Sequence, residues 1–392
     1  MDRQYVILVV NPGATSTKVS VYDDLRERVS RTIRHSADEL KPYASVADQF
    51  GFRRDLVLEA LREEGVEFAS LSAVIGRGGL VKPIESGVYE VNDALRRDLG
   101  HAPQGEHASN LGGLIAADIA SRIPGARAFI ADPVVVDELD DVARVAGHPL
   151  FRRVSIFHAL NQKATGRRYA RENGRAYEDM NLIVAHMGGG ISVGAHRRGR
   201  VVDVNNALDG DGALSPDRSG SLPAGQLADL CFGGKFSAEE VRRMICGRGG
   251  LSAWVGSNSV REIVERMKAG DDDCRRVIEA MAYQVAKQIG AMAAVLEGRV
   301  DAVLLTGGIA YSETVCDLIR RRTAFVAPVV VMPGEDEMGA LAENAERSVR
   351  KFMNRGLFRK SACRSEVGQS PEESLRCFGC PIPELLIPYD FP

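Results

Sequence analysis

Apolar and polar positions first separate clearly at residues 6–10, VILVV, a continuous apolar run. It is followed by Asn11-Pro12-Gly13-Ala14-Thr15-Ser16-Thr17 and then by alternation at residues 19–22. An unbroken short apolar run, turn chemistry and a period of two predict strand, tight turn, strand. Phe50, Val57, Ala60 and Leu61 recur at helical spacing, as do Leu111, Ile115 and Ile119. Between those helices residues 73–75 form a short strand ending in Gly76-Arg77-Gly78-Gly79, and residues 129–131 form another, closed by Asp132-Pro133. Alternation of strands and helices predicts an α/β architecture.

The second half opens in the same way. An apolar run at residues 182–185 enters His186-Met187-Gly188-Gly189-Gly190-Ile191-Ser192, and a strand follows at residues 193–195. Placing Asn11 on His186 puts Gly13 on Gly188 with both apolar runs in register, which predicts a duplicated α/β unit with a cleft between its halves. Val277, Met281, Val285, Ile289 and Met292 mark a long helix. A strand at residues 302–305 then meets Thr306-Gly307-Gly308, and a strand at residues 329–332 meets the turn at residues 333–336 before a helix from about Glu337. From about Met353 no period is sustained, so residues 353–392 are expected to be an atypical, poorly ordered tail. Its Cys377-Phe378-Gly379-Cys380 lacks the second pair that a four-ligand zinc site needs, and is expected to be incidental.

Composition narrows the class. At 392 residues two domains are expected, divided here as residues 1–155 and 156–352. A net charge of −3 gives no field toward nucleic acid or anionic membrane, and no apolar stretch is long enough to span a bilayer. The start MDRQYVILVV lacks the features of a signal peptide, and seven thinly spread cysteines fit a reducing compartment. A cytoplasmic protein is expected. Glycine, at 40 residues, is the enriched type, and its placement matters more than its number.

Three glycine turns each follow an apolar strand, around Gly13, Gly188 and Gly307. Such turns let backbone N–H groups converge on phosphate oxygens and let a ligand approach closely. The first adds the Thr15, Ser16 and Thr17 hydroxyls and the Lys18 ammonium. None fits G-x-x-x-x-G-K-[ST], and none is expected to open a helix as a dinucleotide fingerprint does.

VNPGATSTK, GRGGL, AHMGGGISVG, SPDRSGSLP and LTGGIAYSE resemble, in order, the signature segments of the acetate kinase (acetokinase) family, in the wording of its butyrate kinase branch. The likeness runs from about residue 6 to about residue 351. It implies a duplicated actin-like, ribonuclease H-like core with ATP in the cleft, the last helix packing back on the first domain, and a homodimer or higher homo-oligomer. The implied reaction is reversible transfer of the ATP γ-phosphoryl group to a short-chain fatty acid, butyrate or isobutyrate, with Mg2+. Acetate or propionate kinase, and a non-transferring actin- or chaperone-like ATPase switch, are the alternatives.

A carboxylate nucleophile needs no general base, whereas two anions brought together need cations. The resemblance implies that Arg77 and Arg218 supply them, and a guanidinium is permanently charged and forked for carboxylate and phosphate. It further implies His158 as donor to the transferring phosphoryl, His186 beside the nucleotide phosphates, and His107 with Asn110 at the acyl pocket. Asn11, Gly13, Thr15, Ser16, Thr17, Lys18, Gly188, Gly189, Gly190, Gly307 and Gly308 fall to the nucleotide. Asp132 matches the active-site aspartate and is placed with the metal, together with Asp336 or Glu337 from the cluster Glu335-Asp336-Glu337. An acidic cluster ahead of a helix also complements the helix dipole.

Overall fold

The computed structural model describes residues 4–103 and 105–362. Strands β1 (Val6–Pro12), β2 (Ser16–Asp23) and β3 (Arg26–Arg34) form an antiparallel meander, and β4 (Leu71–Arg77) lies parallel to β1 on its other side. The short β5 (Val88–Glu90) pairs antiparallel with β6 (Arg127–Ala131), which is parallel to β4. The order in this sheet is β3-β2-β1-β4-β6-β5.

The second sheet repeats the plan. Strands β7 (Asn181–Met187), β8 (Ile191–Arg197) and β9 (Arg200–Val204) form the meander, and β10 (Ala302–Thr306) and β11 (Val329–Val331) extend it in parallel, giving β11-β10-β7-β8-β9. Apart from β5, order and direction match strand for strand. The duplication expected from the two apolar runs is therefore present.

Central strands explain those runs. Residues 7–10 of β1 and 182–185 of β7 are fully buried, because each strand is central in its sheet and is packed against helices. The helix Asn110–Ser121 packs on β4 and β6, and the long helix Asp272–Val295 packs on β7 and β8. The helix Ala159–Glu172 covers β7 and β10. Leu8, Val10, Val74 and Ile115 lie in one core, and Ile183, Met281, Val285 and Leu305 in the other. Amphipathic β3, exposed along nearly all its length, gave little apolar signal.

Two expectations change. The last helix spans Glu337–Ala362 and so runs past Met353; Gly356 alone does not stop a helix that charged and long-chain neighbours favour. The rest of the expected tail, with Cys377 and Cys380, lies outside the described residues. The Gly307 turn does lead into helix: a 3-10 turn at Gly308–Tyr311 is followed by the helix Glu313–Thr323, capped by Ser312. Contacts gather Met1–Ser348, with both sheets, into one compact unit and leave Val349–Pro392 as a second. No helix among the described residues is long and apolar enough to cross a membrane.

Candidate active site

The turn between β7 and β8 is closed by Gly188 N–H donating to the Gly190 carbonyl at 3.0 Å. A Cβ on Gly190 would lie 1.8 Å from Arg218 Nη1. Glycine is required there because the Arg218 guanidinium crosses the backbone at close range. Arg218 is fixed by its own loop. Its N–H reaches Ser215 Oγ (3.2 Å), the Ser215 hydroxyl donates to the Gly189 carbonyl (2.7 Å), and Nη1 donates to the Ala207 carbonyl (2.5 Å). Turn and arginine form one rigid corner.

Across the site Arg77 ends β4. Its guanidinium meets Glu337 in a two-pronged pair, Nη2 to Oε1 at 2.9 Å and Nη1 to Oε2 at 3.1 Å, and Asn11 Nδ2 donates to the same Oε2 at 2.7 Å. The first residue of the last helix thus joins the ends of β1 and β4. The neighbouring acids behave differently. Asp336 Oδ1 accepts from Gly339 N–H at 2.9 Å and caps that helix. Glu335 accepts from His186 Nε2 at 3.1 Å. That hydrogen bond holds the Glu335 carboxyl below its ordinary range, with added attraction from Arg77 and Lys18.

His158 and His186 stack face to face, centroids 3.8 Å apart and 10° from parallel. His158 Nδ1 lies 2.9 Å from Ser192 Oγ, and His186 Nδ1 lies 2.8 Å from Asn161 Oδ1. Burial, then the nearby His186, Arg218 and Arg77, holds His158 well below its ordinary value and therefore neutral. His107 is lowered by the same causes, burial first and then Arg77 and Arg218.

Two cavities meet this corner. The larger, about 680 Å3, is bounded by Gly188, Gly189 and Gly308, with Val260, Ile309 and Tyr311 among its apolar walls. The smaller, about 110 Å3, is bounded by Arg77, Arg218, His107 and His158 on its polar side, and by Leu80, Val134, Ile156, Phe157, Ala207 and Leu208. Sequence reasoning missed all of these apolar walls except as anonymous core. Their signal was only that residues 154–157 and 207–208 adjoin His158 and the Arg218 loop.

Several expected site residues face elsewhere. Thr17 is buried and its hydroxyl meets His35 Nε2 at 2.9 Å, because side chains alternate along β2 and this one points into the core. Asn110 accepts from Leu80 N–H at 2.7 Å and braces the Arg77-Gly78-Gly79 turn, and it is not among the residues bounding the smaller cavity. Both Asp132 oxygens are engaged, Oδ1 by the Ser86 hydroxyl and Gly87 N–H (2.6 and 2.9 Å) and Oδ2 by Arg167 (3.1 Å), which ties it to the Ser86-Gly87 turn and to Arg167. Gly307, at φ +87°, presses on the Met187 backbone and exchanges hydrogen bonds with Gly334; it spaces strands, while Gly308 reaches the large cavity. Gly13, Thr15, Ser16 and Lys18 do sit on the β1–β2 turn beside Asn11. Unanticipated was Arg53, fully buried, which donates to the Gly13, Ala14 and Ser16 carbonyls (2.7, 3.0 and 3.3 Å) and props this turn from below.

Two sheets of one topology, glycine turns at corresponding strand ends and a cavity beside them define the class: an actin-like ATPase fold. Solved structures agree. An acetate kinase of Porphyromonas gingivalis superposes with a TM-score of 0.72 at 18% identity, covering 88% of this chain and 99% of that one. A propionate kinase of Francisella tularensis gives 0.68 at 18%, over 87% and 98%. At the sequence level the model of the acetokinase family matches residues 147–327. Butyrate kinase 2 of Clostridium acetobutylicum is 52% identical over 344 residues, 88% of this chain and 96% of that protein. A probable butyrate kinase of Bacteroides thetaiotaomicron is 52% identical over 344 residues, 88% and 97%. The chain belongs to the acetokinase family, and the butyrate kinase wording of its signature segments agrees with these relatives.

Proposed function

We propose that this protein transfers the γ-phosphoryl group of ATP to the carboxylate of a short-chain fatty acid, butyrate or isobutyrate, giving ADP and the acyl phosphate in a reversible reaction. One observation carries the reading. A small cavity with apolar walls and an arginine pair at its polar side adjoins the same glycine turn that bounds a larger cavity.

The larger cavity takes the nucleoside, with its apolar walls against the base and Gly308 allowing close approach. The Gly188-Gly189-Gly190 turn and the Asn11–Lys18 turn present N–H and hydroxyl groups to the phosphates. The acyl chain lies against Leu80, Val134, Ile156 and Phe157, which leaves its carboxylate toward Arg77 and Arg218. A carboxylate oxygen then attacks the γ-phosphorus as the bond to the ADP oxygen breaks. No proton need move, because the nucleophile is already ionised. Arg218 and Arg77 offset the repulsion between the anions and the charge on the equatorial oxygens. Neutral His158 donates a hydrogen bond to the group in transit, and His186 stands beside the nucleotide phosphates. Asp132 acts at one remove, by holding Arg167.

Magnesium binds through one or two carboxylates with phosphate and water. Glu337, whose carboxylate is held at the end of β1 by the Asn11 amide N–H, is the residue that would hold it, together with phosphate oxygens and water. When bound, the ion neutralises phosphate charge. A cytoplasmic homodimer or larger homo-oligomer goes with this reading, on family resemblance.

Hydroxylamine trapping tests it: with ATP, magnesium and butyrate, the acyl hydroxamate should accumulate. Rates across acetate, propionate, butyrate and isobutyrate rank the acceptor, and one methylene is expected to change selectivity by about 10–200-fold. Loss of ATP without hydroxamate would overturn transfer.

A further inference from the structure

Behind His158 runs an uninterrupted chain of buried polar groups that the reaction does not touch. Tyr177 OH lies 2.6 Å from His196 Nδ1, His196 Nε2 lies 2.9 Å from Gln162 Oε1, and Gln162 Nε2 lies 2.8 Å from Ser192 Oγ. Ser192 Oγ lies in turn 2.9 Å from His158 Nδ1. Gln162, Ser192 and His196 are wholly buried and Tyr177 nearly so. Buried polar groups of this kind are normally all paired, and here the pairing leaves one solution.

The solution starts from a group that can only accept. Gln162 Nε2 also lies 3.0 Å from the Ser192 backbone carbonyl. A carbonyl never donates, so that end of the amide is the NH2, and Oε1 faces His196. Oε1 only accepts, so His196 carries its proton on Nε2, and its Nδ1 accepts from the Tyr177 hydroxyl. On the other side the Ser192 hydroxyl accepts from Gln162, and the His158 backbone N–H approaches it at 3.5 Å. Its own hydrogen is left for His158 Nδ1. The ring proton of His158 must then sit on Nε2, which has no hydrogen-bond partner among the described residues in a side chain bounding the Arg77–Arg218 cavity.

We infer that Gln162 and Ser192, with His196 behind them, are positioning residues that lock His158 in the Nε2–H tautomer, so that it always offers a donor and never a lone pair to an anionic ligand. The inference rests on the proposed function only for the identity of that ligand, a transferring phosphoryl group. The opposite tautomer would turn a lone pair toward phosphate oxygen and repel it. Tyr177 terminates the chain and does not set its direction, because direction is fixed at the Ser192 carbonyl.

Nitrogen-15 spectra of histidine-labelled full-length protein at pH 7–8 test this, with His158 assigned by its absence in His158→Gln. Wild type should show His158 protonated on Nε2 and bare on Nδ1. Ser192→Ala should move both signals toward a tautomer average. It should lower kcat about 10–100-fold, the worth of one hydrogen bond to a charged group, with KM for ATP and butyrate within about threefold. Tyr177→Phe should keep the tautomer and keep kcat within about threefold. A wild-type His158 protonated on Nδ1, or doubly protonated, overturns the inference, and so does a Ser192→Ala spectrum identical to wild type. The wild-type spectrum needs no variant, so the test survives a failure of Ser192→Ala to fold. If the spectra behave as expected while kcat is unchanged, the lock stands and the phosphoryl role of His158 falls.

Discussion

The β1–β2 turn and the β7–β8 turn occupy the same place in two sheets of the same topology, yet each meets its nearby arginine in an opposite sense. At the first turn Arg53 approaches from the core and spends its guanidinium on backbone carbonyls of residues 13–16. At the second, Arg218 crosses the outer side of Gly190 and bounds the smaller cavity. The turns also differ in length, with four residues between paired Pro12 and Thr17 but three between paired Met187 and Ile191. Duplication kept strand order and the need for a tight reversal, while the placement of charge diverged. One arginine became a prop for the backbone and the other, anchored on the Ala207 carbonyl, a positive edge of the smaller cavity.

The largest effect expected from this contrast is at the second turn. Arg218→Ala should slow phosphoryl transfer by about 100-fold or more with the fold retained, as for loss of one preorganised donor. Steady-state rates with circular dichroism as a fold check decide it, and near-normal turnover would place the arginine outside the chemistry. Arg53→Met should act on stability instead. It strands buried carbonyls and should cost about 1–3 kcal/mol in denaturant unfolding, while kcat falls far less than in Arg218→Ala. If Arg53→Met matched Arg218→Ala in kcat, the two turns would be functionally alike after all.

Acid should sharpen the contrast on the side of the second sheet. His158 and His196 are held well below the ordinary histidine value, both chiefly by burial. The unfolded chain therefore binds protons that the native state refuses. Their contribution is complete above the unfolded value, about 6.5, and is lost as pH falls below it, at up to about 1.4 kcal/mol per pH unit for each histidine. Denaturant midpoints from pH 7.5 to 5 should drop accordingly, and a flat profile would contradict the buried neutral pair.

Asp336→Ala should have the smallest effect, a loss of about 1 kcal/mol from the uncapped helix with turnover retained. Glu337→Gln is its counterpart. It removes the charge paired with Arg77 and should lower turnover and weaken magnesium dependence. Equal loss in both variants would undo the separation of cap from site.

Much of this was legible in the chain. Residues 6–10 and 182–185 announced central strands because burial on both faces demands an unbroken apolar run. Gly188-Gly189-Gly190 announced a turn with close approach, and at Gly190 a side chain would collide with the Arg218 guanidinium. The family segments then named the arginines and histidines. What stayed hidden was direction. Thr17 lies inside a glycine-turn motif, but the alternation of β2 turns it to His35. Asp132 follows a strand end as expected, but its partners Ser86, Gly87 and Arg167 could not be read from the chain.

By itself, then, the sequence determined which segments are buried strands, where the chain must reverse tightly and which chemical groups are at hand, since these depend on near neighbours and on period. Only the tertiary structure decided that Glu337 meets Arg77 across 260 positions while Asp336 caps its own helix. It alone aligned Tyr177, His196, Gln162 and Ser192 behind His158. The physical reason is that a hydrogen bond's direction depends on the angle at which distant elements pack, and that angle is a property of the assembled core.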